Sequence, residues 1–210
     1  MAATCLMLDV DGVLIDGRPG DGLNWKTGLA EDLGLEPRDL SEGFFRRVWS
    51  DVVTGRRALL PELEAALARM GSSVRAEDLV AYWFDKDSRV VAPVLADLRH
   101  VRSAWRPVFL ATNQDHLRAR YLMQEIGLER EVDGIVYSAQ AGHQKPEAEF
   151  FAFAEQATGH RPENLLLVDD TEANVLGARR AGWAAVHWTG AECLREIVER
   201  HCRQPGRSAR

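Results

Sequence analysis

The chain has 210 residues, 46% of them hydrophobic and 28% charged, with a formal net charge of −6. That composition is ordinary for a globular protein built as one domain or as a core with a smaller module, and the acidic balance argues against a broad nucleic-acid surface. No apolar run reaches the length of a membrane span, and the N-terminus lacks the basic and long apolar regions of a secretory signal. Cys5, Cys193 and Cys202 have no metal or redox spacing. A cytoplasmic protein with no membrane partner is therefore expected.

The first apolar run begins at Thr4 and ends in Asp9-Val10-Asp11-Gly12-Val13-Leu14. It is too short for a helix of its own and reads as a buried strand. Side chains two apart on a strand share a face, so Asp9 and Asp11 are expected together at its carboxyl end, where Gly12 lets the chain turn. Two carboxylates this close need a cation, a shared proton or a helix N-terminus to stabilise them.

After turn residues in 15–19, four helical patterns follow: Leu23 to Leu33, Leu40 to Val53, Leu59 to Met70 and Ala76 to Phe84. This stretch is too long for a loop, and a small helical module is expected. From Val94 strands and helices alternate. Val94 to Arg102 reads as a helix and Arg106 to Thr112 as a strand. Asp115 is placed to cap a helix to Ile126, which Gly127 stops. Gly134 to Ser138 is a third strand and Pro146 to Ala157 a helix. Asn164 to Asp170 is a fourth strand, again ending in paired carboxylates. Thr171 is expected to cap a helix from Glu172 to Ala181 whose small residues, Gly177 among them, permit close packing. A strand from Ala184 to Trp188 and a helix from Ala191 to Cys202 complete the chain. The alternation predicts an α/β, Rossmann-like, doubly wound parallel sheet with helices on both faces.

In such a sheet the carboxyl ends of all strands share one edge, so Asp9, Asp11, Thr112, Asn113, Lys145, Asp169 and Asp170 are expected to meet there. Carboxylates with one lysine and one hydroxyl suit a divalent cation and a phosphate. The four stretches Asp9-Val10-Asp11-Gly12-Val13-Leu14, Thr112-Asn113, Lys145-Pro146 and Asp169-Asp170-Thr171-Glu172-Ala173-Asn174 resemble, in order, the four motifs of the haloacid dehalogenase-like hydrolase superfamily. The likeness is to its capped phosphatase branch. It implies residues 1–15 and 94–210 as an α/β core and residues 16–93 as an inserted α-helical cap domain.

The resemblance implies a Mg²⁺-dependent hydrolase of phosphoric monoesters acting on a small phosphorylated metabolite, as a monomer or homodimer. Asp9 would be the nucleophile that becomes an aspartyl-phosphate, and Asp11 the acid and base. The implied metal set is Asp9, the Asp11 backbone carbonyl and Asp170, with Asp169 beside it as a partner interchangeable with Asp170 on sequence alone. Thr112, the Asn113 backbone N–H and Lys145 would bind phosphoryl oxygens, and Asn174 would help to hold Asp170. In the cap, Arg46, Arg47, Arg56 and Arg57 could offer a cation to a second anionic group. Trp25, Trp49 and Trp83 read as helix core, and His143 borders Lys145. Three alternatives remain at this point. Two are enzymes, a dehalogenase, disfavoured by Asp11 and the second acidic pair, and a phosphomutase, weakened because the first histidine of the chain is His100. The third is a non-catalytic binding or regulatory protein that also retains the fold.

Overall fold

The computed structural model describes residues 3–104 and 107–201. The start of the expected second strand at Arg106, and Cys202 with the basic C-terminal end, lie outside the described residues. Among the described residues, β1 (Cys5–Leu8), β2 (Val108–Thr112), β3 (Gly134–Tyr137), β4 (Leu165–Asp169) and β5 (Ala184–His187) form one parallel sheet in the order β3-β2-β1-β4-β5. Between β1 and β2 lie α1 (Leu29–Leu33), α2 (Pro37–Leu40), a π-helical turn (Ser41–Phe45), α3 (Arg46–Val53), α4 (Leu59–Arg69), α5 (Ala76–Lys86) and α6 (Ala92–Ser103). Then α7 (His116–Gln124) follows β2, α8 (Ser138–Ala141) and α9 (Ala148–Thr158) follow β3, α10 (Glu172–Arg180) follows β4, and α11 (Leu194–His201) follows β5.

The strands are buried on both faces because alternate side chains meet different helices. Leu6 and Leu8 of β1, with Leu166 and Val168 of β4, pack against Leu98 of α6 and Ile197 of α11. Cys5 and Met7, with Leu165 and Leu167, pack against Phe150 and Phe151 of α9 and Val175 of α10. From β1 the chain goes first to β2 and β3 on one side and only then to β4 on the other. The strand order therefore reverses between β1 and β4, the place where open α/β sheets bind ligands.

A separate apolar cluster gathers Trp25, Leu29, Phe44, Leu63, Leu67 and Trp83 in the helical stretch, and Leu117 and Tyr121 of α7 pack against it. Trp25 and Trp83 stack with ring centroids 5.1 Å apart, and Trp49 lies 5.7 Å from Trp83. Arg46 and Arg47 are exposed. Arg56 and Arg57 form exposed ion pairs with Asp51, and Arg57 also pairs with Glu62.

Several expected elements differ. The helix expected from Leu23 starts only at Leu29. The residues before it form turns, with Arg18 N–H donating to the Leu23 carbonyl and Thr27 N–H to Asn24, and with Gly22 and Gly28 at φ of 72° and 88°. The helix expected from Pro146 starts at Ala148, because Glu147 N–H closes a turn on the Gln144 carbonyl. Thr171 occupies the N-cap position of α10 without a side-chain cap, since its hydroxyl donates to Asp170 Oδ1 at 3.2 Å. The short α8 was not expected, being one turn without a readable period.

Gly177 has the close packing that its neighbours' small size predicts. A Cβ there would lie 2.8 Å from Pro146 Cβ and 2.9 Å from the Phe151 ring. Gly177→Ala gains helix propensity but overpacks α10 against the Lys145–Pro146 turn, and a net loss of about 1–3 kcal/mol is expected in urea unfolding. An unchanged midpoint would mean that α10 moves outward freely.

Candidate active site

β1 ends at Leu8, but the next residue stays in the sheet environment: Asp9 N–H donates to the Val168 carbonyl at 3.0 Å. The chain then reverses tightly, as Val13, Leu14 and Ile15 N–H groups all converge on the Val10 carbonyl at 2.8–3.2 Å. Gly12 has φ of +77°, and a Cβ on it would come within 2.2 Å of Asp170 Oδ2. Both the backbone angle and the approach of the fourth-strand acid require glycine here. The turn separates the two acids that the strand pattern placed together: Asp9 is buried and Asp11 is exposed.

Asp9 accepts from Val10 N–H on Oδ1 at 2.8 Å and faces Lys145 Nζ at 3.0 Å through the same oxygen. Lys145 is 3% exposed and donates also to the Ala111 carbonyl at 2.6 Å and to Asp169 Oδ2 at 2.5 Å. Its three ammonium protons are therefore engaged by the ends of β1, β2 and β4. The backbone that carries it is clamped by Asn113, whose side chain accepts from Lys145 N–H at 2.8 Å and donates to the Lys145 carbonyl at 3.0 Å.

Burial drives the Asp9 carboxyl above its ordinary value, Lys145 opposes that shift and Asp169 reinforces it. Burial alone would lower the Lys145 ammonium, but Asp9 and Asp169 together hold it above its ordinary value.

Asp169 is fully buried, and both of its oxygens are occupied. Oδ1 accepts from Thr171 N–H at 2.8 Å and Asn174 at 3.0 Å, and Oδ2 from Lys145 and from Asn174 at 3.2 Å. Asn174, expected on Asp170, holds Asp169 instead, because the first turn of α10 brings it over the buried acid. Asp170 is exposed, and burial of part of its carboxyl followed by the charge of Asp169 raises it above its ordinary value. Its backbone carbonyl accepts from His187 at 2.7 Å if Nε2 carries the proton.

Thr112, at the end of β2, is 1% exposed. Its hydroxyl accepts from Gln114 Nε2 at 3.4 Å, and the same amide donates to Asp11 Oδ2 at 2.6 Å. Arg118 of α7 is 1% exposed and lies 4.0 Å from Asp11 Oδ1. Gln114 and Arg118 were not read from the sequence as site residues. The available signal was an arginine four residues before Leu122, on the buried face of α7. His143, by contrast, is taken up by Glu147 at 2.9 Å.

Carboxylate oxygens of Asp9, Asp169 and Asp170 lie within 4.8 Å of one another, which is a hard-oxygen donor set suited to a small divalent cation. The Asp11 carboxylate is not in that group. Among the described residues no hydrogen bond is made to Asp9 Oδ2 or Asp170 Oδ2, so these two oxygens are the ones available to an ion or a substrate. Two clefts flank them. One of about 680 Å³ runs from Gly12 and Asp170 to Trp188 and Cys193, and the other, of about 430 Å³, runs from Asp11 and Gly12 to Trp25, Trp83 and Asp87 of the helical stretch.

The model of one family, haloacid dehalogenase-like hydrolase, matches residues 3–182. Phosphoglycolate phosphatase of Chromobacterium violaceum is 28% identical to this chain over 186 residues, covering 85% of the chain and 81% of the relative. Fructose-1-phosphate phosphatase of Escherichia coli is 23% identical over 201 residues, covering 86% of the chain and 94% of the relative. Among solved structures, a Bacteroides thetaiotaomicron enzyme of the same family, crystallised with magnesium and inorganic phosphate, superposes with a TM-score of 0.77 at 18% identity, covering 93% of this chain and 98% of that one.

Proposed function

Since the chain belongs to the haloacid dehalogenase-like hydrolase family, we propose that it is a Mg²⁺-dependent phosphatase that releases phosphate from a small metabolite through an aspartyl-phosphate on Asp9. The observation that carries this reading is the buried Asp9–Lys145–Asp169 cluster with Asp170 beside it at the β1/β4 edge. Asp9, Asp170 and the Asp11 backbone carbonyl would hold the ion. Asp169, whose oxygens are filled by Lys145, Asn174 and Thr171, is assigned the supporting role. Mg²⁺ would neutralise the repulsion between an anionic nucleophile and an anionic ester.

The protein groups divide the remaining work. Asp9 attacks phosphorus as the ester P–O bond breaks, and the Asp11 carboxyl gives its proton to the departing oxygen. Asp11, now a carboxylate, takes a proton from the water that hydrolyses the acyl-phosphate. Thr112, the Asn113 backbone N–H and Lys145 hold phosphoryl oxygens, with a phosphoryl oxygen replacing Asp9 as one of the three acceptors of Lys145. Residues 16–93 act as a cap over the leaving group, since the cleft beside Asp11 is walled by Trp25 and Trp83 of that segment. The intact acid at position 11 favours this chemistry over dehalogenation. The relatives' names make sugar phosphates and phosphoglycolate the first esters to assay.

The test is a panel of phosphorylated metabolites assayed for phosphate release with Mg²⁺ and after EDTA. Metal-dependent release is expected. Metal-independent turnover, or halide release from a 2-halo-acid in its place, overturns the reading. Ion binding has its own readout: Mg²⁺ at about 100 times its Kd is expected to raise the Tm by roughly 5–10 °C. Asp170→Asn should remove most of that rise, and a full rise in the variant would take Asp170 out of the ion site.

A further inference from the structure

Arg118 is a poor residue for its surroundings if the fold were its sole purpose. Its guanidinium is 1% exposed, and it lies over the rings of Phe84 and Tyr121 at 5.2 and 5.5 Å. It donates to the Phe84 carbonyl at 3.2 Å and to the Asp87 carbonyl, at the C-terminal end of α5. Its carboxylate partners, Asp87 at 3.7 Å and Asp11 at 4.0 Å, both stand off, so neither closes a bidentate pair. A buried cation arranged in this way adds little net stability, and an apolar side chain would fill the space between α5 and α7 at least as well. Its contacts point elsewhere: Nη1 and Nη2 both grip the end of α5, and the same Nη2 lies 4.0 Å from the acid at position 11.

Gln114 faces the same acid. It is 3% exposed and donates to Asp11 Oδ2 at 2.6 Å. Its backbone carbonyl is held by Ala139 N–H at 3.1 Å and by the buried Ser138 hydroxyl at 3.2 Å. That hydroxyl also contacts the Val53 carbonyl of α3 at 2.5 Å. Asp11 is otherwise an exposed side chain on a turn, with many rotamers open to it.

We propose that Gln114 and Arg118 are positioning residues for Asp11, fixing its Oδ2 by a hydrogen bond and facing its Oδ1 with a charge, and that they tie the acid's orientation to the seating of α3 and α5. The inference rests on the phosphatase reading above. With Oδ2 held by Gln114, Oδ1 is the oxygen left to carry the proton to the leaving alcohol. Arg118 then stabilises the carboxylate that remains when the proton has gone to the ester oxygen and the P–O bond has broken.

This role has a signature that structural damage lacks. A 4-nitrophenolate departs without a proton, whereas an alkoxide does not. The measurement is kcat/KM, which reports the P–O cleavage step, for 4-nitrophenyl, phenyl and alkyl phosphates with Mg²⁺, in wild type, Gln114→Ala and Arg118→Lys. The expected loss is about 10²-fold on the alkyl ester and about threefold or less on the 4-nitrophenyl ester. In an Asp11→Asn background neither change should add a further loss. Gln114→Ala keeps the test decisive should Arg118→Lys fold poorly. Equal losses on all three esters, or losses that add to that of Asp11→Asn, overturn the positioning role and leave the phosphatase reading standing. A wild-type protein that cleaves none of the esters overturns both.

Discussion

Asp9→Asn is expected to lower kcat on any phosphate ester by about 10⁴-fold or more while the chain stays folded. The amide is isosteric with the carboxyl, so the hydrogen bond from Val10 N–H to Oδ1 can persist. What disappears is the nucleophile, and no other carboxylate can take over. Asp169 has both oxygens filled by Lys145, Asn174 and Thr171, and Asp170, just beyond the end of β4, is assigned to the ion.

The same substitution has a stability signature that separates loss of chemistry from loss of fold. Burial raises the Asp9 carboxyl in the folded state above its unfolded value. A raised carboxyl contributes stability that is fully present below the unfolded pKa and is lost as pH rises through the folded one. In the metal-free protein Asp9 therefore makes the fold less stable at neutral pH than in acid. The neutral amide removes that slope. Metal-free Asp9→Asn should match or exceed wild type in urea midpoint at pH 7 to 8, and the advantage should shrink toward pH 4. A variant that is both inactive and unfolded at neutral pH would show that Asp9 serves the fold first. Retained turnover would remove it from the mechanism.

Lys145→Met is expected to be the most damaging single change to the fold, at about 3–5 kcal/mol. The methionine fills the volume but leaves Asp9 and Asp169 buried without their cation, and it leaves the Ala111 carbonyl without its donor. The sign with pH follows from the same linkage. Without Lys145 the Asp9 carboxyl, already raised by burial, is held higher still, so the variant should gain stability as pH falls toward 5 and lose it toward pH 8. Activity should be lost along with the charge, because one ligand of the phosphoryl group and the clamp on Asp9 are the same ammonium. Urea unfolding across pH checks the first statement and phosphate release in folded conditions the second. A loss below about 1 kcal/mol, within the range of a surface ion pair, would mean that water reaches the cluster.

The fold class and the strand–helix alternation were legible in the amino-acid sequence because they rest on local terms. Apolar runs such as Leu165 to Val168 can be satisfied on both faces only in a covered parallel sheet, and Asp115 caps α7 through its own neighbouring N–H groups. The meeting of Asp9, Lys145 and the Asp169–Asp170 pair at one edge followed from the rule that parallel strands share their carboxyl ends. What was not legible depends on which groups meet across the chain. Leu23 to Thr27 carries helical spacing, yet glycines on either side and the Arg18 hydrogen bonds turn it into a loop. Asp9 and Asp11 read as equals in the strand pattern, and the reversal at Gly12 buries one and exposes the other. Asp169 and Asp170 were interchangeable until α10 laid Asn174 and the Thr171 N–H on the first of them.

Sequence by itself determined which chemical groups arrive at the β1/β4 edge, because hydrophobic periodicity and strand direction are local properties. Tertiary structure alone decided how they are shared out. Partner choice, Lys145 for Asp9 and Asp169, Gln114 and Arg118 for Asp11, is set by distances between segments that lie 103 residues apart for Gln114 and Asp11 and farther still for Lys145 and Asp9. At those separations it is the packing of helices on the sheet, and no pattern within any one segment, that fixes which donor reaches which acid.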